Sequence, residues 1–314
     1  MTLSSSTGAT TRNAGTPAAQ SVYMRRGRSR STAATARTVA TQLLLVTFAI
    51  VWMAPLAWAV YSSFRDYDYV QEKGQLSTGG YTLENYANAW TIGNIPHFFL
   101  NSVLITVPAV ILILALGSMA AFVIARYSWK LNIAALLVFV TANLLPPQTL
   151  LAPLFRMFNA FPLPEWLSSS GSLYDTYWGV IIANLAFQLG FCVFVLSNYM
   201  KMLPKALTEA AEIDGAGAFR QYAQIILPLC RPALAALATL FATWVYNDFF
   251  WALALMVTAD KYPVTTALQS LEGAYFTDSN MMSAGAVLVA LPTVLVYMAL
   301  QRHFISGLTM GANK

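Results

Sequence analysis

The sequence is short of charge. Of its 314 residues only 10% are Asp, Glu, Lys or Arg, while 57% are hydrophobic. A soluble domain carries roughly 25% charged residues, so a chain of this length lacks the coat that would keep its core in water. That excludes a soluble globular enzyme, and the apolar content excludes a disordered scaffold. Catalytic equipment is missing too. No Gly-x-x-x-x-Gly-Lys-Ser/Thr stretch is present to cradle ATP phosphates, and neither His-Glu-x-x-His nor Gly-x-Ser-x-Gly occurs. The two histidines, His97 and His303, are far apart, and Cys192 and Cys230 show no metal-ligand spacing. The cysteines read as reduced structural thiols, and no metal site is expected. No acidic residue precedes Asp66, whereas six arginines fall in the first 38 residues. With Tyr23 the one aromatic residue among them, nucleic acid is not the expected partner. Residues 1–38, rich in Ser, Thr, Ala, Gly and Arg, read as a disordered basic tail anchored on the cytoplasmic side of an apolar run.

Six long apolar stretches follow, at about 39–61, 98–125, 131–155, 176–200, 232–257 and 281–301. Even the shortest spans about 31 Å as a helix, enough for a hydrocarbon core of ~30 Å. The predicted fold is therefore all-α and membrane-integral, with six transmembrane helices. Prolines 55, 108, 146, 147, 153 and 292 lie in or near these spans, where neighbouring helices or a wet cavity must compensate the broken hydrogen bonds. With a cytoplasmic N-terminus, 14 of the 18 Lys and Arg residues fall on the inside, leaving Arg65, Lys73, Arg156 and Lys261 outside. The positive-inside rule places both termini in the cytoplasm. Asp248, beside Asn247, is the one acidic residue within a span. It either lines a polar pathway or satisfies a neighbouring helix.

The most informative segment is 201–231, between the fourth and fifth spans. Pro204 suits a helix start and Asp214-Gly215 a stop, with Ala206, Ala210 and Ile213 forming a small apolar face. A second helix carries Phe219, Tyr222, Ala223 and Ile226 at i, i+3, i+4 and i+7. Glu209 and Glu212 lie beside the first face. Surface-binding helices usually carry a basic polar face, so the pair reads as a knob for a partner's groove rather than a lipid-lying loop.

Glu209-Ala210-Ala211, Asp214-Gly215, Ile225 and Leu227-Pro228 together resemble the EAA loop of permeases of binding-protein-dependent ABC importers, in particular the second permease subunit of the maltose type. Ala120-Ala121-Phe122-Val123-Ile124-Ala125-Arg126 and the tail Gly307-Leu308-Thr309-Met310-Gly311-Ala312 are similar to that subunit as well, so the likeness covers residues 39–314, the permease domain. The family often has Trp-Asn-Glu/Asp-Phe where this chain has Tyr246-Asn247-Asp248-Phe249, with Trp244 two residues earlier, and it often ends on a glycine that is absent here. The resemblance implies an importer subunit in the cytoplasmic membrane that is not itself an enzyme and binds no cofactor. A partner ATPase dimer holding ATP and Mg receives the loop, with Glu209 at the contact and Gly215 allowing the turn. It further implies a second homologous permease, an extracytoplasmic sugar-binding protein, and a di- or oligosaccharide as cargo. Asn247 and Asp248 are then candidates for the translocation pathway, and Tyr262, Glu272 and Tyr275, in the outer loop 258–280, for contact with the binding protein. The amides Asn101, Asn143, Gln148, Asn184 and Gln188 can meet sugar hydroxyls, although cross-helix bonding is their plainer role. The alternative reading is an ion-coupled secondary transporter, which would need more titratable groups at depth than Asp248.

Overall fold

The structure, a computed structural model, describes residues 32–127, 132–270 and 278–309. The tail up to residue 31, Glu272, Tyr275 and the last five residues lie outside these ranges. Helix α1 (Thr32–Ser63) is followed by two short helices, α2 (Tyr67–Lys73) and α3 (Glu84–Thr91), and by the long α4 (Ile95–Arg126). Next come α5 (Asn132–Ala142), α6 (Leu151–Ala160), α7 (Tyr177–Met202), α8 (Ala206–Ile213), α9 (Ala218–Gln221) and α10 (Leu227–Leu229). The chain closes with α11 (Arg231–Tyr246), α12 (Phe250–Leu255), α13 (Val264–Ser270) and α14 (Ser279–Thr309). No strand occurs among the described residues, which show only two isolated bridges.

Among the described residues four helical stretches are each long and apolar enough to cross a bilayer: Arg37–Ser63, Ile95–Arg126, Tyr177–Met202 and Ser279–Ala299. They match the first, second, fourth and sixth expected spans. The third and fifth differ from expectation, because both are broken. Over 131–155, α5 ends before Pro146 and Pro147, and a short 3-10 turn leads into α6. Proline has no N–H and forces the preceding residue out of the helical region, so two in succession end the run. Over 232–257, the helix stops at Tyr246 and restarts at Phe250 without a proline. Here side chains replace the ladder: Asn247 Nδ2 donates to the Thr243 carbonyl at 2.8 Å and Asp248 Oδ1 accepts from the Trp251 N–H at 3.2 Å.

The chain divides into two compact units, Met1–Pro55 and Leu56–Lys314. In the first, the α1 side chains Leu44, Phe48 and Trp52 are all exposed. The second is built on α4 and α7. Ile105, Ala109 and Ile113 give α4 a buried stripe at every fourth residue, and Ala233, Leu237, Phe241 and Val245 do the same for α11. Glycines bring the helices together. A Cβ at Gly117 of α4 would lie 2.5 Å from Cys192 Sγ of α7, and one at Gly190 of α7 would lie 2.1 Å from the Phe139 carbonyl oxygen of α5. Between α1 and α4 the chain closes over Arg65, which is buried. Arg65 donates to Tyr61 and Ser77, while its carbonyl accepts from Asn85 on α3 and Asn280 on α14.

Candidate functional site

Three places collect the candidate residues, beginning with the helix pair after α7. Helix α8 ends where Gly215 takes φ +74°, a left-handed conformation that suits glycine, and the turn is closed by Ala216 N–H on the Ala211 carbonyl at 2.8 Å. Thr208 and Ala211 face inward, whereas Ala206, Glu209, Ala210, Glu212, Ile213 and Asp214 are exposed. The small apolar face is thus bare, with Ile213 87% exposed. Of the apolar residues spaced along the second helix, Phe219 is 72% exposed, while Tyr222 and Ile226 are buried. Ile225, Leu227 and Pro228 are half-buried. Pro228 offers no N–H to a carbonyl four residues back, and over Tyr222–Ile226 the helix widens into a π-turn, with Leu227 N–H reaching the Tyr222 carbonyl. The helix to Leu229 then meets α11 at 77°.

Two polar contacts that the sequence reading missed hold this pair. Gln221, buried, donates from Nε2 to the Ala216 carbonyl at 2.8 Å, and the Tyr222 hydroxyl lies 2.8 Å from Ser118 Oγ on α4. The Phe122 and Tyr222 rings pack at 5.6 Å between centroids. A polar residue at the end of a one-turn helix, or a tyrosine opposite a lone serine in an apolar span, leaves no periodic signal, so nothing in the sequence flags either.

The second place is a pocket of about 250 Å³ where both helix breaks converge on α7. Its polar lining comes from Asn143, Asn184, Gln188 and Asp248, and its aromatic lining includes Trp244 and Trp251. Asn184 Nδ2 donates to Asp248 Oδ2 at 2.8 Å. Asn247 does not line this pocket; its amide turns to Thr243 and, at 3.4 Å, to Thr293 Oγ1. Of the amides singled out in the sequence, Asn143, Asn184 and Gln188 gather here, whereas Asn101 lies elsewhere and Gln148 lines an adjoining open cleft with Arg156. Neither tryptophan is a candidate from the sequence, where only charge and amides mark depth. Their signal is position: Trp244 and Trp251 flank the break at Asn247–Phe249.

Tyr262 belongs to the third place, a tightly pinned segment at 256–263. Asn101 Nδ2 donates to the carbonyls of Asp260 and Tyr262 at 2.8 and 3.0 Å, and Tyr177 Oη donates to Asn101 Oδ1 at 2.8 Å. Asp175 anchors the other side. Its φ of +58° is a left-handed value that aspartate tolerates, and its carboxylate accepts from the N–H groups of Val257 and Thr258, from Thr258 Oγ1 and from Lys261 Nζ at 3.0 Å. Burial alone would push this carboxyl up. The bonds from Thr258, Val257 and Lys261 outweigh it and hold the pKa at about 2. Tyr262 itself is half-buried, so its ring is partly available to another protein.

Over residues 113–309 the chain matches the family described as the binding-protein-dependent transport system inner membrane component. It belongs to that family. The match includes α7, the helix pair and both sides of the pocket, and with its apolar helices the chain is a multi-pass membrane protein. As an inner membrane component it is similar to a diacetylchitobiose uptake system permease of Streptomyces coelicolor, 32% identical over 85% of this chain and 86% of that one. A melibiose/raffinose/stachyose import permease of Bacillus subtilis is 30% identical over 74% of this chain and 81% of its own. Among solved structures, a chain of a bacterial ABC transporter involved in import of the acidic polysaccharide alginate shares the fold, with a TM-score of 0.69 and 20% identity, covering 87% of this chain and 98% of that one.

Proposed function

We propose that this inner membrane component is one permease subunit of an ATP-driven saccharide importer, carrying a di- or oligosaccharide into the cytoplasm. The observation that carries this reading is the helix pair. A bare apolar face on α8 and Phe219, with Glu209 and Glu212 beside it, is tied by Tyr222 to α4, so force applied to the knob reaches the body of the bundle. The partner for that face is an ATPase dimer, whose groove takes the apolar side chains and whose basic residue meets Glu209. Binding of ATP and Mg by that dimer closes it, and the closure biases the permease between inward-facing and outward-facing states. This chain supplies no catalytic group to hydrolysis. Its other partners are a second, homologous permease and an extracytoplasmic binding protein that delivers the sugar to the side where 256–263 lies, with both termini of this chain in the cytoplasm. The sugar-uptake names of the relatives support a saccharide cargo.

Affinity purification of the tagged chain from native membranes tests the reading. An ATPase, a second permease and a solute-binding protein are expected among the co-purifying chains, with ATP-dependent uptake by the reconstituted set. Recovery of this chain alone, accumulating solute in liposomes on an ion gradient without ATP, would make it a secondary transporter.

A further inference from the structure

We infer that this subunit carries its own saccharide subsite, formed around Asp248, and that the subsite takes a neutral pyranose ring. The inference rests on the importer reading and names the place and chemistry of cargo contact. Irregular backbone is tolerated at membrane depth only where it is buried in protein or lines a water-filled cavity. Here two breaks, one made by Pro146-Pro147 and one by Asn247–Phe249, converge on a single pocket of about 250 Å³. Gln188 stands at the midpoint of α7, half-buried, and its amide makes no hydrogen bond with any described residue. A half-buried amide in an apolar span with neither donors nor acceptor engaged is costly unless a solute or water completes it.

The remaining walls fit the two sides of a sugar ring. Trp244 is 41% exposed, and its ring is held by Phe191 and Phe241 at 5.5 and 6.0 Å between centroids. A fixed indole with an open surface suits the C–H face of a pyranose. In the same lining, Asp248 spends one carboxylate oxygen on Asn184 and the other on the Trp251 N–H. A carboxylate has about four acceptor sites, so lone pairs are left for a pair of vicinal hydroxyls. Asn143 and Gln188 supply amide donors beside them. Helix-to-helix bonding accounts for the Asn184–Asp248 contact but not for the unengaged Gln188 or the open indole. Among the described residues no Lys or Arg lines the pocket, so a uronate carboxylate would face Asp248 with no compensating charge.

The test uses the complete transporter in proteoliposomes with its binding protein, and radiolabelled xylose, melibiose, raffinose, diacetylchitobiose and digalacturonate as probes. We expect ATP-dependent accumulation of at least one neutral sugar and none of digalacturonate. For that sugar, Trp244→Ala and Gln188→Leu should each lower uptake about tenfold, while ATP hydrolysis stimulated by the binding protein stays within about twofold of wild type. Trp244→Phe should recover most of the loss, separating stacking from folding, and elution of each variant as the intact assembly guards against misfolding. Uptake by Trp244→Ala and Gln188→Leu equal to wild type would overturn the subsite and leave the importer reading standing. Preference for digalacturonate would overturn the neutral-ring assignment. Absence of any ATP-dependent uptake by wild type would overturn both.

Discussion

The two ends of α7 are finished in opposite ways. Next to its start at Tyr177, the segment 256–263 is fastened by groups distant in sequence: Asp175 grips Val257, Thr258 and Lys261, and Asn101 holds two carbonyls. Past its end at Met202, α8 leaves Ile213 and, across the turn, Phe219 bare, and its own fastenings are local, such as Thr208 Oγ1 on the Lys205 carbonyl at 2.8 Å. One end has found its partners within the chain. The other shows apolar side chains with acidic neighbours, and among the described residues two side-chain hydrogen bonds join it to α4, Tyr222 to Ser118 and Arg126 to the Leu203 carbonyl at 3.3 Å, which suits a surface that another protein completes. In the proposed importer, force and recognition would be separated along one helix.

Breaking the open end should cost transport rather than folding. Glu209→Lys places a cation where a basic groove is expected, and reversing a charge at a contact costs several kcal/mol, so uptake should fall about a hundredfold. Glu209 is exposed, so the amount of protein in the membrane and its thermal unfolding should match wild type. Wild-type uptake from this variant would remove Glu209 from the contact. Breaking the pinned end should do the reverse. Asp175→Asn keeps a residue that tolerates φ +58° and deletes the charge together with one of the two acceptor oxygens, so it should cost about 2 kcal/mol of stability at neutral pH. The pKa in the folded state, about 2, lies below the ordinary 3.8, so the stabilisation is complete above about pH 4 and is lost as pH falls toward 2. Thermal unfolding in detergent across that range should slope for wild type and flatten for Asp175→Asn; equal slopes would show that the carboxylate does not pin the segment.

How much of this was legible in the sequence differs between the ends for the same reason. The knob is local: Pro204, Asp214-Gly215 and the spacing of Ala206, Ala210 and Ile213 lie within a few turns of each other, so start, stop and face could be read from periodicity. The pinned segment is not. Asn101 meets Tyr262 across 161 residues, and nothing in either neighbourhood announces the pairing. The pocket falls between these cases. Asp248 stood out because charge is rare in a span, but the merging of Gln188, Trp244 and Asn143 with it depends on two helix breaks, one of which, at Asn247, has no proline to mark it. Reading 131–155 and 232–257 as continuous spans hid the breaks and with them the pocket.

Two smaller changes sharpen the comparison at the open end. At Gly215 a Cβ would meet nothing within 4 Å, so the cost of Gly215→Ala is the φ of +74° alone, about 1 kcal/mol borne by the turn after α8. Hydrogen exchange should rise at Ala216 and Gly217 without change in α7; protection unaltered there would mean the turn adopts another conformation at no cost.

Tyr222→Phe removes the bond to Ser118 and keeps the ring against Phe122. Ser118 Oγ retains the Ala115 carbonyl at 3.1 Å, so no buried donor is stranded and the loss should be about 1 kcal/mol or less. If the knob passes motion to α4 through this bond, uptake should fall a few-fold while ATP hydrolysis by the assembled transporter continues, a slip between partner and bundle. If packing of the two rings carries the motion, uptake and hydrolysis should stay in the wild-type ratio. Undiminished transport by Tyr222→Phe then calls for Phe122→Ala, which removes the other half of the joint and should uncouple the helix pair from α4.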